Sequence, residues 1–179
     1  MPTVLVVLAE GFEEIEAVTP IDILRRAGAE VTVAALAEGI HVTGRNHMTM
    51  HADTSLTAVG TRDFDCVLLP GGPGVKLLRS DPRIRPLVTS QFQSGRWLAA
   101  ICAAPTVLHD AGLLSRRRYT AHFSVAGELD RILADERVVV DGNLITSRGA
   151  GTALEFAFQL VECLFSRELS LEISRSVCT

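Results

Sequence analysis

The chain of 179 residues lacks the features of several specialised protein classes. It contains no low-complexity tract, and its composition of 47% hydrophobic and 21% charged residues is typical of a globular protein rather than a disordered one. The formal net charge is −4 and the arginines are scattered rather than gathered in a basic stripe, which disfavours nucleic-acid binding. The length suits one domain, so we expect a single domain over residues 1–179.

The chain also lacks long apolar stretches and closely spaced cysteines. Its first apolar run, residues 3–9, is too short to span a membrane, has no basic leader and is followed by glutamates, so it does not suit a signal peptide. The four cysteines, Cys66, Cys102, Cys163 and Cys178, lie far apart without the spacing of a zinc site. We therefore expect a cytoplasmic protein with reduced thiols and no structural metal.

Apolar runs with strand character alternate with segments of helical periodicity along the chain. Strands are predicted at residues 3–8, 31–36, 65–69, 97–101, 118–121, 138–141 and 144–146, with a hairpin over 42–50. Helices are predicted at residues 13–27, 82–94 after a cap at Asp81, 103–108, 125–134 and 152–165. The alternation predicts an α/β fold with a mostly parallel sheet, helices on both faces and ligands beyond the carboxyl ends of the strands.

Cys102 lies directly between a predicted strand and a predicted helix. A cysteine in the first turn of a helix is close to free backbone N–H groups, which favour the thiolate over the thiol. A sharp strand-to-helix turn also exposes the nucleophile of many hydrolases beside the amide of the next residue, here Ala103. From position alone Cys102 is either a reactive nucleophile or a buried, inert cysteine.

Three glutamates, Glu13, Glu14 and Glu16, follow the first predicted strand. Glu16 has apolar neighbours and is the best candidate to face inward. Burial would raise its pKa, so that it can donate a hydrogen bond to a thiolate or move a proton. The alternative is that acidic residues simply favour the N-terminus of a helix.

Two further features follow predicted strands and are expected at the same edge of the sheet. His122 is a candidate base, orienting group or substrate contact, although a lone surface histidine is the commoner case. The turn at Gly71 and Gly72 lacks the lysine of a P-loop and the spacing of a dinucleotide fingerprint. We interpret it as a wall of backbone N–H donors.

Four motifs in order resemble those of the ThiJ/PfpI superfamily. They are Glu10-Gly11-Phe12-Glu13-Glu14-Ile15-Glu16, Leu69-Pro70-Gly71-Gly72, Ala99-Ala100-Ile101-Cys102-Ala103-Ala104-Pro105 and Thr146-Ser147-Arg148-Gly149. The resemblance spans nearly the whole chain. It is strongest to the branch of the Parkinsonism-associated protein deglycase and its bacterial relatives, which matches Arg25-Arg26-Ala27-Gly28 and Arg45 as well.

The resemblance implies a flavodoxin-like three-layer sandwich, usually a homodimer. The family's nucleophilic cysteine falls on Cys102 and its protonated glutamate on Glu16. Its remaining site residues fall on the following positions: the oxyanion amides on Gly72 and Ala103, the nearby histidine on His122, and basic contacts for substrate or anion on Arg26 and Arg45.

The resemblance also implies an activity, namely cofactor-independent detoxification or repair of reactive carbonyls. The expected partners are methylglyoxal and early glycation adducts on proteins and nucleotides, in a stress response. A redox sensor or chaperone that uses the same cysteine is the alternative. Ala103 stands where protease-like branches have histidine, and no histidine follows His122, which disfavours a peptidase and a glutaminase-type amidotransferase. Ala150 stands where the deglycase branch often has proline.

Overall fold

The computed structural model describes residues 1–179 and contains nine strands and seven α-helices. The strands are β1 (Thr3–Leu8), β2 (Glu30–Ala35), β3 (His41–Thr43), β4 (Thr49–His51), β5 (Thr54–Ser55), β6 (Cys66–Leu69), β7 (Trp97–Ile101), β8 (Val138–Asp141) and β9 (Leu144–Ser147). The helices are α1 (Glu14–Arg26), α2 (Leu56–Val59), α3 (Val75–Ser80), α4 (Ile84–Gln93), α5 (Pro105–Asp110), α6 (Ala153–Leu164) and α7 (Arg167–Ser176). Short 3₁₀ turns cover Phe123–Val125 and Ala150–Thr152.

Seven of the strands form one sheet in the order β5-β2-β1-β6-β7-β9-β8. All neighbours are parallel except β8 and β9, and β3 and β4 form a separate antiparallel hairpin. The carboxyl ends of β1, β6, β7 and β9 therefore meet at one edge of the sheet. The predicted α/β fold with a mostly parallel sheet and helices around it is confirmed.

The sheet separates two apolar cores because alternate side chains of a strand point to opposite faces. On β1, Val4, Val6 and Leu8 pack with α1 and α6, while Leu5 and Val7 pack with the side that holds α3, α4 and α5. Strands buried on both faces read as continuous aliphatic runs, which explains why the sequence marked them clearly. None of the helices combines the length and the apolar character needed to cross a membrane.

The predicted helix over 125–134 is wrong, and the strand predicted over 118–121 is reduced to one bridge between Tyr119 and Ile132. The spacing of apolar residues in 125–134 is helical, but Leu133 forms its backbone hydrogen bonds with residues outside the segment. The Leu133 N–H donates to the Tyr119 carbonyl at 3.0 Å, and the Thr120 hydroxyl donates to the Leu133 carbonyl at 2.9 Å. These tertiary hydrogen bonds hold the segment in turns.

Other boundaries also differ from the prediction. The helix predicted from residue 82 begins at Ile84 with Arg83 as its cap residue, and Asp81 instead accepts from the Arg83 N–H at 2.9 Å and pairs with its guanidinium. The helix predicted over 152–165 spans Ala153–Leu164. The short elements β5, α2 and α3 and the terminal helix α7 were not predicted from the sequence. The hairpin over 42–50 is confirmed as β3 and β4.

Candidate active site

Cys102 occupies a sharp turn between β7 and α5. Its φ is 66°, in the left-handed region that a residue with a side chain rarely adopts. Two tertiary hydrogen bonds hold it there: its N–H donates to the Ser147 carbonyl and its carbonyl accepts from the His122 N–H, both at 2.9 Å. Such a conformation persists only where the surroundings determine it, and it is found most often at functional sites. The turn leaves Cys102 half-buried at the carboxyl edge of the sheet.

Glu16 reaches the same point from the first turn of α1 and is 1% exposed. Its Oε2 accepts from the Gly71 N–H at 2.9 Å. Burial raises the pKa of Glu16 to about 7, against the lowering effect of hydrogen bonds with Cys102 and Gly71. A carboxyl group with this pKa can hold a proton at neutral pH, as expected for a group that exchanges protons with a thiol.

Glu16 and Cys102 are close neighbours, and each shifts the pKa of the other. Burial and the negative charge of Glu16 raise the pKa of the Cys102 thiol. When Glu16 carries the proton, the repulsion is absent and its O–H can donate to the sulfur. The pair therefore has two forms of equal charge, thiol with carboxylate or thiolate with carboxylic acid. The backbone N–H groups favour the thiolate as expected, but burial and Glu16 oppose them, so the start of the helix alone does not determine the charge of Cys102.

Backbone N–H groups surround the sulfur from two loops. The amides of Gly72 and Ala103 act to lower the pKa of Cys102, so both lie near the thiol. Gly72 has a φ of 91°, and a Cβ on it would lie 2.6 Å from the Gly11 carbonyl oxygen. Only glycine therefore allows the Gly72 loop to approach the loop at Gly11 and to direct its N–H toward the cleft.

His122 lies in the cleft and is oriented by its own turn. Its Nδ1 accepts from the Ser124 N–H at 3.2 Å and lies 2.8 Å from the Ser124 hydroxyl, which leaves Nε2 to carry the hydrogen of the neutral ring. Burial lowers the pKa of His122, and so do the charges of Arg148 and Arg45. The neutral form is therefore favoured. A Cβ on Gly149 would lie 3.3 Å from the ring, so this glycine forms the wall between His122 and the thiol.

The other two glutamates of the cluster have separate roles. Glu14 is 2% exposed and receives the Asn46 N–H at 2.7 Å and the Asn46 side-chain amide at 2.9 Å, so it fastens the β3–β4 hairpin to α1. Glu13 is 7% exposed and forms an ion pair with Arg45 at 3.4 Å. Because all three glutamates are buried against tertiary partners, a simple preference for the helix N-terminus does not explain the cluster.

These residues line one cleft of about 470 Å³. Of the predicted site residues, it brings together Cys102, Glu16, His122, Gly72, Ala103 and Arg45. Arg26 lies ten residues beyond Glu16 on α1, roughly 15 Å along the helix, and pairs with Asp22 at 2.7 Å. Arg26 therefore lies outside this cleft, and its role as a substrate or anion contact stays a prediction.

The cleft also contains residues that the sequence analysis did not identify. Lys76 and Arg79 come from α3, and Glu128 comes from the segment wrongly predicted as helical. The missed helix α3 explains the first two. Ser124, two residues after His122, was recognisable as a short-range partner for a histidine. No group of three or more histidine, cysteine, aspartate or glutamate side chains is placed to hold a metal ion.

Together these elements define a class of α/β protein with a half-buried cysteine on a strained turn, a buried carboxyl group beside it and amide donors around it. The profile of the DJ-1/PfpI family matches residues 2–163. The chain therefore belongs to the DJ-1/PfpI family. The structure agrees with the crystal structure of Drosophila melanogaster DJ-1beta at a TM-score of 0.93 and 41% identity, over 98% of this chain and 97% of that one.

Relatives with enzymatic names cover most of the chain. A protein named glutathione-independent glyoxalase from Caenorhabditis elegans is 34% identical over 94% of this chain and 91% of its own length. A protein named deglycase from Thermococcus kodakarensis is 31% identical over 90% of this chain and 98% of its own length. The chain spans only 41% of DJ-1 homolog B from Arabidopsis thaliana, with 39% identity over 98% of this chain. Enzymatic activity is thus supported for this family.

Proposed function

We propose that this protein converts 2-oxoaldehydes such as methylglyoxal, and their early adducts on proteins and nucleotides, through a covalent step on Cys102. The observation that carries the proposal is the convergence of the Cys102 thiol, the proton-holding Glu16 and two amide donors in one cleft. The glyoxalase and deglycase names of relatives support the same class of reaction. We place this activity in the cytoplasm as a response to carbonyl stress.

In the first step the sulfur of Cys102 adds to the aldehyde carbon. The thiol proton, exchanged through Glu16, passes to the aldehyde oxygen, and the product is a hemithioacetal. The N–H groups of Gly72 and Ala103 are directed at this region, so they stabilise negative charge that develops on that oxygen.

In the second step the hydrogen on the former aldehyde carbon moves as a proton to the neighbouring ketone carbon through an enediol, with Glu16 or His122 as carrier. The first carbon becomes a thioester carbonyl and the second a hydroxyl-bearing carbon, so the oxidation of one balances the reduction of the other. Water then cleaves the thioester to a 2-hydroxy acid and restores the Cys102 thiol. The net reaction consumes one water and needs no external redox partner.

The test is the conversion of methylglyoxal to lactate by purified protein. We expect Cys102→Ser to lose about 1000-fold or more in kcat/KM, because a nucleophile of this kind dominates the rate. Cys178→Ser is the matched control, since this thiol is exposed and outside the cleft. Equal activity in wild type and Cys102→Ser would contradict the proposal.

A redox role of the same thiol is the second candidate. Peroxide would oxidise the Cys102 thiolate to a sulfenic and then a sulfinic acid, and Glu16 with the two amides could donate to the new oxygens. Mass spectrometry after mild peroxide treatment should find oxidation first at Cys102. Oxidation concentrated on Cys66 or Cys178 would argue against this role, including a redox-regulated chaperone.

We also propose that the protein assembles as a homodimer. Three large apolar side chains on α1 and the β3–β4 hairpin are exposed to solvent. Their exposed fractions are 52% for Ile15, 45% for Val18 and 57% for Met48. Their proximity follows from the contact of the hairpin with Glu14. A second copy would cover this patch. Light scattering should report a dimer for the wild type and a monomer for Val18→Arg.

A further inference from the structure

Lys76 is the only lysine in the chain, and it lies in the candidate active-site cleft. All other basic side chains except the histidines are arginines. The residue stands in the first turn of α3 and is exposed to solvent on the cleft side. This placement brings a positive charge into the same cleft as the thiol that the proposed reaction uses.

The backbone places Lys76 close to the amides that face Cys102. From Gly72 onward the chain is already coiled: the Val75 N–H donates to the Gly72 carbonyl at 3.1 Å and the Lys76 N–H to the Pro73 carbonyl at 3.3 Å. Four residues of helical rise separate Gly72 from Lys76, roughly 6 Å. A flexible lysine side chain spans a comparable distance, so its ammonium group can reach a substrate whose carbonyl carbon lies at the sulfur.

The other cations of the cleft already have carboxylate partners. Arg79 binds both oxygens of Asp110, at 2.6 and 3.0 Å, and also Glu128 at 2.7 Å. Arg45 pairs with Glu13 at 3.4 Å. Lys76 has no ion pair and no side-chain hydrogen bond.

Lys76 is therefore the cation of the cleft that has no direct carboxylate partner. Glu13 pairs with Arg45, and Glu128 and Asp110 pair with Arg79, while the Glu16 carboxyl group is buried beside Cys102. The ammonium group of Lys76 is thus free to bind an anionic part of a substrate held in the same cleft.

We propose that Lys76 selects substrates that carry an anionic group, a carboxylate or a phosphate, a few bonds from the reactive carbonyl. The ammonium group binds that anion while the aldehyde carbon lies at the Cys102 sulfur. Methylglyoxal is neutral, so it would react at Cys102 without a contact to Lys76. The inference rests on the proposed function for substrate turnover, but the charge preference of the cleft can be measured without turnover.

The first experiment measures alkylation of Cys102 by two reagents of nearly the same size, iodoacetate with a carboxylate and neutral iodoacetamide. In both, the sulfur bonds to the methylene carbon, iodide leaves and the thiol proton passes to solvent. Mass spectrometry of the Cys102 peptide gives each rate. We expect the ratio of the iodoacetate rate to the iodoacetamide rate to fall about tenfold in Lys76→Gln and further in Lys76→Glu.

Two variants keep the test specific. Lys76→Arg retains the charge at the same place and should keep most of the ratio. Arg85→Gln removes an exposed cation without an ion pair outside the cleft and should leave the ratio unchanged. A ratio that is unaltered in both Lys76→Gln and Lys76→Glu, or lowered equally by Arg85→Gln, would overturn the inference.

The second experiment measures turnover of 4,5-dioxopentanoate, which carries a carboxylate, against neutral 2-oxopentanal of the same chain length. Lys76→Gln should lower the ratio of the two kcat/KM values about tenfold, mainly through KM of the anionic substrate. A 2-oxoaldehyde with a terminal phosphate in place of the carboxylate shows which anion is preferred. If no variant turns over any aldehyde, the proposed function fails while the alkylation ratio still decides the role of Lys76.

The single lysine also permits a chemical control on the wild-type chain. Acetylation removes the charge of Lys76 and reductive methylation keeps it. The only other amine is the N-terminal amino group before β1, at the opposite edge of the sheet from the cleft. Acetylated protein should behave as Lys76→Gln and methylated protein as wild type; identical behaviour of the two preparations would contradict the proposal.

Discussion

Cys66 and Cys102 lie on neighbouring strands of one sheet in opposite environments. Cys66 begins β6, is 0% exposed and packs among aliphatic side chains, and burial raises its pKa strongly. Cys102 follows the last residue of β7, where loops bring a carboxyl group and two amide donors to the sulfur. The difference shows that the edge of the sheet, rather than the residue type, determines what a thiol can do. The carboxyl edge of a parallel sheet collects loops with free N–H groups, and the strand interior has none to offer.

The largest effect is expected from Glu16→Gln, which removes the exchangeable proton of the carboxyl group and keeps the shape of the side chain. In Glu16→Gln the amide can still bond to the cleft but cannot exchange a proton with the thiol. We expect kcat/KM to fall about 100-fold or more. The loss should be confined to the chemical step, so single-turnover kinetics should show it. An unchanged rate would mean that Cys102 works without this partner and resembles an ordinary exposed thiol.

The same variant has a second expected effect, on stability as a function of pH. The folded pKa of Glu16 is about 7 and its ordinary value is 4.5, so its stabilising contribution is complete below about pH 4.5 and is lost as pH rises through about 7. The difference corresponds to about 3 kcal/mol. Urea titrations between pH 4.5 and 8 should show this loss in the wild type and not in Glu16→Gln.

A smaller effect is expected when a side chain fills the space between the loop after β6 and the loop after β7. A Cβ on Gly71 would lie 2.6 Å from both the Cys102 Cβ and Glu16 Oε2, and 2.9 Å from the Ile101 carbonyl oxygen. We expect Gly71→Ala to lower the free energy of unfolding by about 1 to 3 kcal/mol and to displace the reactive pair. Gly151→Ala is the control, since a Cβ there meets no atom within 4 Å. Equal stability of the two variants would show that the loops yield easily.

The smallest effect is expected at the contrasting thiol. Cys66→Ala removes a buried sulfur and leaves a small cavity, so the free energy of unfolding should fall by roughly 1 kcal/mol. Activity toward methylglyoxal should remain that of the wild type, because Cys66 lies outside the cleft. A loss of activity comparable to that of Cys102→Ser would mean that the two thiols are not functionally distinct.

Several parts of the fold and site were predictable for identifiable reasons. The buried strands are continuous aliphatic runs, and the elbow cysteine stands between a strand and a helix-opening proline, Pro105. Glu16 was distinguished from its neighbours by its apolar setting alone, and the structure places it beside the thiol. The segment 125–134 was not predictable, since its helical periodicity is overridden by hydrogen bonds to Tyr119 and Thr120, residues whose position depends on the rest of the fold.

By itself the sequence determined the layered α/β architecture, because local apolar periodicity reports directly on burial. It also determined which cysteine lies at a strand end, since that is a matter of order along the chain. Only the tertiary structure decided that the buried Glu16 lies beside Cys102, and that Lys76, which has no carboxylate partner, lines the same cleft. Both properties arise from distances between residues on different elements, which a linear order of residues does not specify.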